Sequence, residues 1–289
     1  QALGVTTLTF TPGGPLTQTV SVQVNGDTKV EADETFTVNL TNLTAGGRNV
    51  SIGDATGLGT ITNDDAAVFT IREDAAGAED GGPITFTIDL SNPVDQATSV
   101  TVFTADGTGL TSDSDYTPLV GQVVNFAPGQ TAATFQVLPT ADSKVEANET
   151  FTVSLGTASG DHGSLTVSPT VRTGTITNDD TAQFTINDVT LAEGNSGQTA
   201  FVFTVTLSQP VDVAVSVDAA SADGTATTVD GDYASLPATT LTFVPGGPLT
   251  QTVTVQVNGD MKVEGDETFA VNLSNLQSGG RSVTIGDAA

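Results

Sequence analysis

The chain of 289 residues carries 34 acidic and 7 basic side chains, and its formal charge of -27 repels nucleic-acid phosphates and anionic lipid headgroups. It has no cysteine, which excludes disulfides, a thiol nucleophile and thiolate metal sites, and no apolar run approaches the roughly 20 residues that span a bilayer. Thirteen Phe, abundant Val and Thr, no Trp, and 31 Gly with 12 Pro describe instead an all-β chain of many short strands joined by turns.

Along the chain, the pattern from Thr6 to Asp27 returns almost unchanged from Thr239 to Asp260, an offset of 233 residues. A more diverged copy lies between them, from Asn125 to Phe151. The terminator from Gly59 to Asp65 recurs from Gly174 to Asp180, 115 residues later. These periods predict the C-terminal half of a repeat over 1–65, a complete repeat over 66–180, and a repeat lacking its last strand over 181–289. Such a chain reads as a window from a longer array.

Within one copy, Phe201, Phe203, Val205 and Leu207 alternate with small or polar residues. So do Val253, Val255 and Val257, and then Phe269, Val271 and Leu273. A period of two marks strands buried on one face. Turn compositions at Ser208-Gln209-Pro210, Ala222-Asp223-Gly224 and Pro245-Gly246-Gly247-Pro248 separate them, giving about seven strands per copy and an immunoglobulin-like Greek-key β-sandwich. Little room for a linker remains between Asp180 and Phe184, so successive copies are expected to abut in an elongated rod.

The acidic residues cluster. The first copy has Asp27, Glu31, Asp33 and Glu34, then Asp64 and Asp65. In the second, Asp113 and Asp115 precede Tyr116, Asp142, Glu146 and Glu149 follow, and Asp179 and Asp180 close the copy. The third has Glu193, then Asp232 before Tyr233, then Asp260, Glu264, Asp266 and Glu267. The loops of a sandwich gather at its ends, so carboxylates distant in sequence can converge there and supply the oxygen ligands that calcium requires.

Gly231-Asp232-Tyr233, Phe243-Val244-Pro245-Gly246, the run from Gly259 to Phe269, and Thr175-Ile176-Thr177-Asn178-Asp179-Asp180 resemble, in that order, the signatures of a Calx-beta domain. The resemblance covers essentially the whole chain. It implies a seven-stranded sandwich that can bind Ca2+ at one end, as in domains of sodium/calcium exchangers and large bacterial surface proteins.

Carried over by position, the resemblance nominates Glu193, Asp232, Asp260, Glu264 and Glu267 in the third copy as metal ligands. In the second it nominates Asp115, Asp142, Glu146, Glu149, Asp179 and Asp180, with the early glutamate either Glu73 or Glu79. The matching first-copy positions are Asp27, Glu31, Glu34, Asp64 and Asp65. Asn178 stands where the strongest calcium-sensing members resemble Asp, and Gly259 or Ala141 where they double an Asp, which implies fewer charged ligands.

The function expected from these features is a non-enzymatic, extracellular or cell-surface structural or adhesive array. Its partners would be neighbouring repeats, other copies of the chain, or a cell-surface or matrix ligand, without nucleic acid or membrane insertion. A filament subunit whose incomplete repeats are completed by neighbouring chains is one alternative. A carbohydrate-binding module is another, disfavoured by the scarcity of aromatics. The single histidine, His162, occurs in one copy alone and supports no hydrolytic triad.

Overall fold

The computed structural model describes residues 4–160 and 164–287, so His162 lies outside the described residues. Every regular element among the described residues is a strand. In the first copy β1 (Glu34–Asn39) pairs antiparallel with β2 (Thr56–Ile61). The second copy comprises β3 (Ala67–Ile71), β4 (Ala75–Ala78), β5 (Ile84–Leu90), β6 (Thr98–Asp106), β7 (Val120–Phe126), β8 (Ala132–Val137), β9 (Glu149–Ser159), β10 (Leu165–Val167) and β11 (Arg172–Thr177). The third comprises β12 (Ala182–Ile186), β13 (Gly197–Leu207), β14 (Val215–Asp223), β15 (Tyr233–Ala234), β16 (Thr239–Phe243), β17 (Thr250–Gly259), β18 (Phe269–Gln277) and β19 (Val283–Ile285).

The second copy is a sandwich with sheet orders β10-β3-β5-β8 and β4-β11-β9-β6-β7. β3 and β4 are one strand interrupted at exposed Arg72 to Asp74, where the chain changes sheets and the Asp74 carboxylate accepts the backbone N–H of Thr173 at 2.9 Å. With β3 and β4 taken as one and the three-residue β10 set apart, the expected strand number is met. The third copy repeats the plan in sheets β15-β17-β13-β12-β19 and β16-β14-β18.

The alternation read from the sequence is the alternation of burial. Ile84, Phe86, Ile88 and Leu90 are at most 3% exposed, and Phe201, Phe203, Val205 and Leu207 at most 8%. Two separate apolar clusters result, one per sandwich. Each has an edge-to-face pair between its sheets, Phe69 with Phe126 at 5.2 Å and Phe184 with Phe243 at 5.1 Å. Gly174 in β11 exists to seat a ring, because a Cβ there would lie 2.1 Å from the fully buried Phe151. Gly174→Ala is therefore expected to destabilise the second sandwich by about 1–3 kcal/mol through overpacking, measurable by denaturant unfolding.

One feature of the packing crosses between copies. Val30 belongs to the first copy by sequence but is fully buried in the apolar cluster of the second, and Val145 of the second is fully buried in the cluster of the third. Each forms a parallel bridge with a turn of the next copy, Val30 with Val94 and Val145 with Val211. Val30 donates its N–H to Pro93 O at 2.9 Å and accepts from Asp95 N at 3.1 Å, while Val145 does the same with Pro210 O (2.9 Å) and Asp212 N (3.4 Å).

The sheet register then decides which loops meet. β4 runs parallel to β11 with Ala78 opposite Thr177, so the two strands leave the sheet side by side. β9 enters antiparallel beside β11 with Glu149 opposite Ile176, and β6 leaves beside β9 with Asp106 opposite Phe151. The segments after β4, β6 and β11 and the loop before β9 thus share one end of the sandwich.

Candidate metal centre

At that end of the second copy Glu79 follows β4, Asp115 lies in the loop after β6, Asp142 and Glu146 lie in the loop before β9, Glu149 opens β9, and Asp179 and Asp180 follow β11. Carboxylate oxygens of Glu79, Asp179 and Asp180 lie within 4.8 Å of one another, as do those of Asp115, Glu146 and Glu149. Glu79, Asp115, Asp142, Glu146, Glu149 and Asn178 line one small shared cavity. Glu79 thus lies in the cluster, whereas Glu73 is exposed on the strand interruption.

Local structure aims these groups. Ser114 adopts a left-handed backbone (φ 72°) before Asp115, and Gly231 does so (φ 84°) before Asp232. One carboxylate oxygen of Asp115 accepts Leu110 N at 2.6 Å, and that of Asp232 accepts Thr227 N at 2.6 Å, fixing each in its turn. Behind them Tyr116 stacks on Phe151 at 4.8 Å and donates its hydroxyl to Asp106 at 2.7 Å, and Tyr233 stacks on Phe269 at 4.6 Å and donates to Asp223 at 2.6 Å. Asp106 and Asp223 are struts of these loops, and their tyrosine partners hold their carboxyls below the usual range.

Asn178 has a role that the sequence reading missed. Its side-chain oxygen accepts Glu146 N at 3.0 Å and its amide donates to Asp180 O at 3.0 Å, while its backbone N–H donates to Asn148 at 3.1 Å. It ties the acidic loop to the acidic terminator. In the first copy Asn63 makes the matching bonds to Glu31 N, Asp65 O and Asp33. The only sequence signal was that Asn recurs at both places; its partners lie up to 32 residues away.

The electrostatics are those of an anionic site short of counter-charge. Glu79, 7% exposed, accepts Asp142 N at 3.0 Å, yet burial, aided by the charges of Asp142, Asp180 and Glu146, pushes its carboxyl up to about 7. Burial likewise raises Glu149, and the adjacent Asp115 carboxyl adds to the rise. Glu146 is raised by burial although Lys144 pairs with it, and Asp180 is raised by burial and by Asp179 and Asp142. Asp80, which the sequence reading did not nominate, is raised by its hydrogen bond to Asp179.

The third copy gathers its nominated residues more loosely. Glu193, Asp260 and Glu264 form one group within 4.8 Å and Asp232, Glu264 and Glu267 another, with Asp260, Glu264 and Glu267 exposed. In the acidic loop there Val263 is 99% exposed, where Val145 of the second copy is fully buried. In the first copy Asp27, Glu31, Glu34, Asp64 and Asp65 form no such group among the described residues. Glu31 instead pairs with Lys29 at 2.5 Å, and the Asp27 carboxylate accepts Lys29 N at 2.9 Å.

The donors in the second and third copies are all oxygens, several are anionic, and they come from loops that can adjust. That set fits a hard divalent cation of calcium's kind and offers nothing to a soft metal.

Mostly antiparallel sandwiches with acidic loops gathered at one end define a class of β-domain, and comparison with known proteins makes the assignment specific. The model of the Calx-beta domain family matches residues 3–74, 62–188 and 177–288. The chain belongs to the Calx-beta family, in tandem copies. Among solved structures it is similar to CBD12 from CALX1.2, with 19% identity and a TM-score of 0.35 over 72% of this chain and 80% of that one. It is also similar to the calcium binding domain CBD12 of CALX1.1, with 18% identity and a TM-score of 0.36 over 72% and 79%. The apo-form Calx CBD1 domain aligns with 20% identity and a TM-score of 0.36 over 40% of this chain and all of that one. No curated protein matches the chain.

Proposed function

We propose that the chain is a non-enzymatic, extracellular structural or adhesive array in which Ca2+, held by acidic loops at repeat ends, stiffens a rod of sandwiches. The observation that carries this reading is one loop of the second copy. It presents Asp142 and Glu146 to the carboxylate cluster and, between them, inserts Val145 into the core of the third copy. An ion on that loop braces the joint as well as the sandwich. Glu79, Asp115, Glu146, Glu149, Asp179 and Asp180 would hold it in the second copy, and Glu193, Asp232, Asp260, Glu264 and Glu267 in the third. What the ion supplies is positive charge where burial otherwise forces carboxyls to take up protons.

Binding to the folded state alone adds stability by mass action, about 2.7 kcal/mol at a calcium concentration 100 times the dissociation constant. The melting temperature at neutral pH is therefore expected to rise on adding calcium and to return to its starting value in chelator. Magnesium should substitute poorly, because it demands a tighter octahedral shell than adjustable loops supply. An identical melt in calcium and in chelator would remove calcium from the account.

A further inference from the structure

We infer that Val263 is an open docking plug that takes the Pro-Val-Asp turn of another Calx-beta repeat. The joint is present twice in the chain. In each case the valine of a Lys-Val-Glu loop enters the core of the next copy, Val30 at Val94 and Val145 at Val211. The receiving turns, Ser91-Asn92-Pro93-Val94-Asp95 and Ser208-Gln209-Pro210-Val211-Asp212, are identical at four of five positions. In both, the proline carbonyl accepts the valine N–H and the aspartate N–H returns to the valine carbonyl.

Lys262-Val263-Glu264 is the third such loop, with the same Asp two residues before the lysine. Asp260 accepts Lys262 N at 2.6 Å, as Asp142 accepts Lys144 N at 2.6 Å, so the loop is begun the same way. Its valine differs in one respect: it is 99% exposed, where its two counterparts are fully buried. Both Pro-Val-Asp turns in the chain are already filled, which directs Val263 to a turn on a further repeat. The two formed joints identify what covers it.

This inference shares with the proposed function the end-to-end docking of repeats, but it does not depend on calcium. The native chain has no cysteine, so Val263→Cys gives a single thiol. Its labelling rate would be compared in the 289-residue chain and in the same chain extended after Ala289 by a copy of residues 57–180, which supplies a terminator and presents a Pro-Val-Asp turn. The expected result is rapid labelling in the first and labelling slowed at least about tenfold in the second, as docking confines reaction to transient opening. Val94→Asp in the appended copy alone should restore the rapid rate.

Equal rates in the two chains, in both calcium and chelator, would overturn the inference and leave the calcium reading standing. Slowing in chelator as well as in calcium would support the joint even if calcium proved to bind nowhere. Protection that grows with concentration in the 289-residue chain would identify a second copy as the occupant, and would also overturn it.

Discussion

In metal-free solution the melting temperature is expected to fall as the pH is raised from about 5 to about 8, the reverse of what a protein stabilised by ordinary carboxylate pairs shows. Folding raises the Glu79 carboxyl from 4.5 to about 7, so the folded chain holds that proton more tightly than the unfolded chain. Its contribution to stability is complete below the unfolded value and is lost as the pH rises through the folded one. For a shift of this size the loss is at most on the order of 3 kcal/mol. Glu146, Glu149 and Asp180 shift in the same direction and add to the fall. Asp89 and Asp212, held low by Arg72 and Arg281, act oppositely and only at more acidic pH.

Calcium should abolish this fall, since it takes the place of the protons and is bound more tightly as they leave. Glu79→Gln gives a discriminating outcome in the same melts. It should raise the metal-free melting temperature near pH 8, by removing a charge that burial disfavours, while reducing the calcium-induced rise. A structural hydrogen-bonding role alone would leave stability nearly unchanged with and without calcium, because the glutamine Oε1 still accepts Asp142 N.

The second large effect is expected at the joint. Val145→Asp removes a fully buried valine from the core of the third copy, where burial of such a side chain is worth about 1.5–3 kcal/mol. Burying a carboxylate in that apolar core is costly, and the neighbouring cations Lys144 and Arg281 already pair with Glu146 and Asp212, so the loop is expected to undock rather than bury the charge. The cost is thus capped at the free energy of the joint. Undocking should show as faster amide exchange at residue 145 and Asp212 and as greater mobility between the sandwiches in solution scattering. Because Asp142 and Glu146 flank the valine, the calcium-induced rise in melting temperature should shrink as well. Val145→Ala should do the same to a smaller degree.

The fold was readable because each strand advertises its own burial. Phe201, Phe203, Val205 and Leu207 need no knowledge of their partners to be assigned to one face. The grouping of carboxylates was readable in outline, since Asp115, Glu146, Glu149, Asp179 and Asp180 recur at fixed places in a repeated motif. The choice between Glu73 and Glu79 was not, because it turns on where β3 breaks and β4 moves to the other sheet beside β11.

What stayed hidden depends on partners far along the chain. Asn178 read as a missing ligand, whereas its side chain fastens Glu146 to the terminator. Val30 and Val145 lie in charged loops and belong to no alternating apolar run. Their partners, Val94 and Val211, lie in the next copy, and no periodicity within one copy points across that boundary.

The central claim is that converging carboxylates of the second and third copies hold calcium. Calorimetric titration of the full chain with calcium near pH 7.5 tests it most directly. The account expects saturable heat by about millimolar calcium or below, with protons released on binding. The heat should be reduced separately by Glu149→Gln in the second copy and by Glu264→Gln in the third, and magnesium should give a far weaker response. A titration with no heat beyond dilution into the millimolar range, at two temperatures, or one that neither substitution alters, would contradict it.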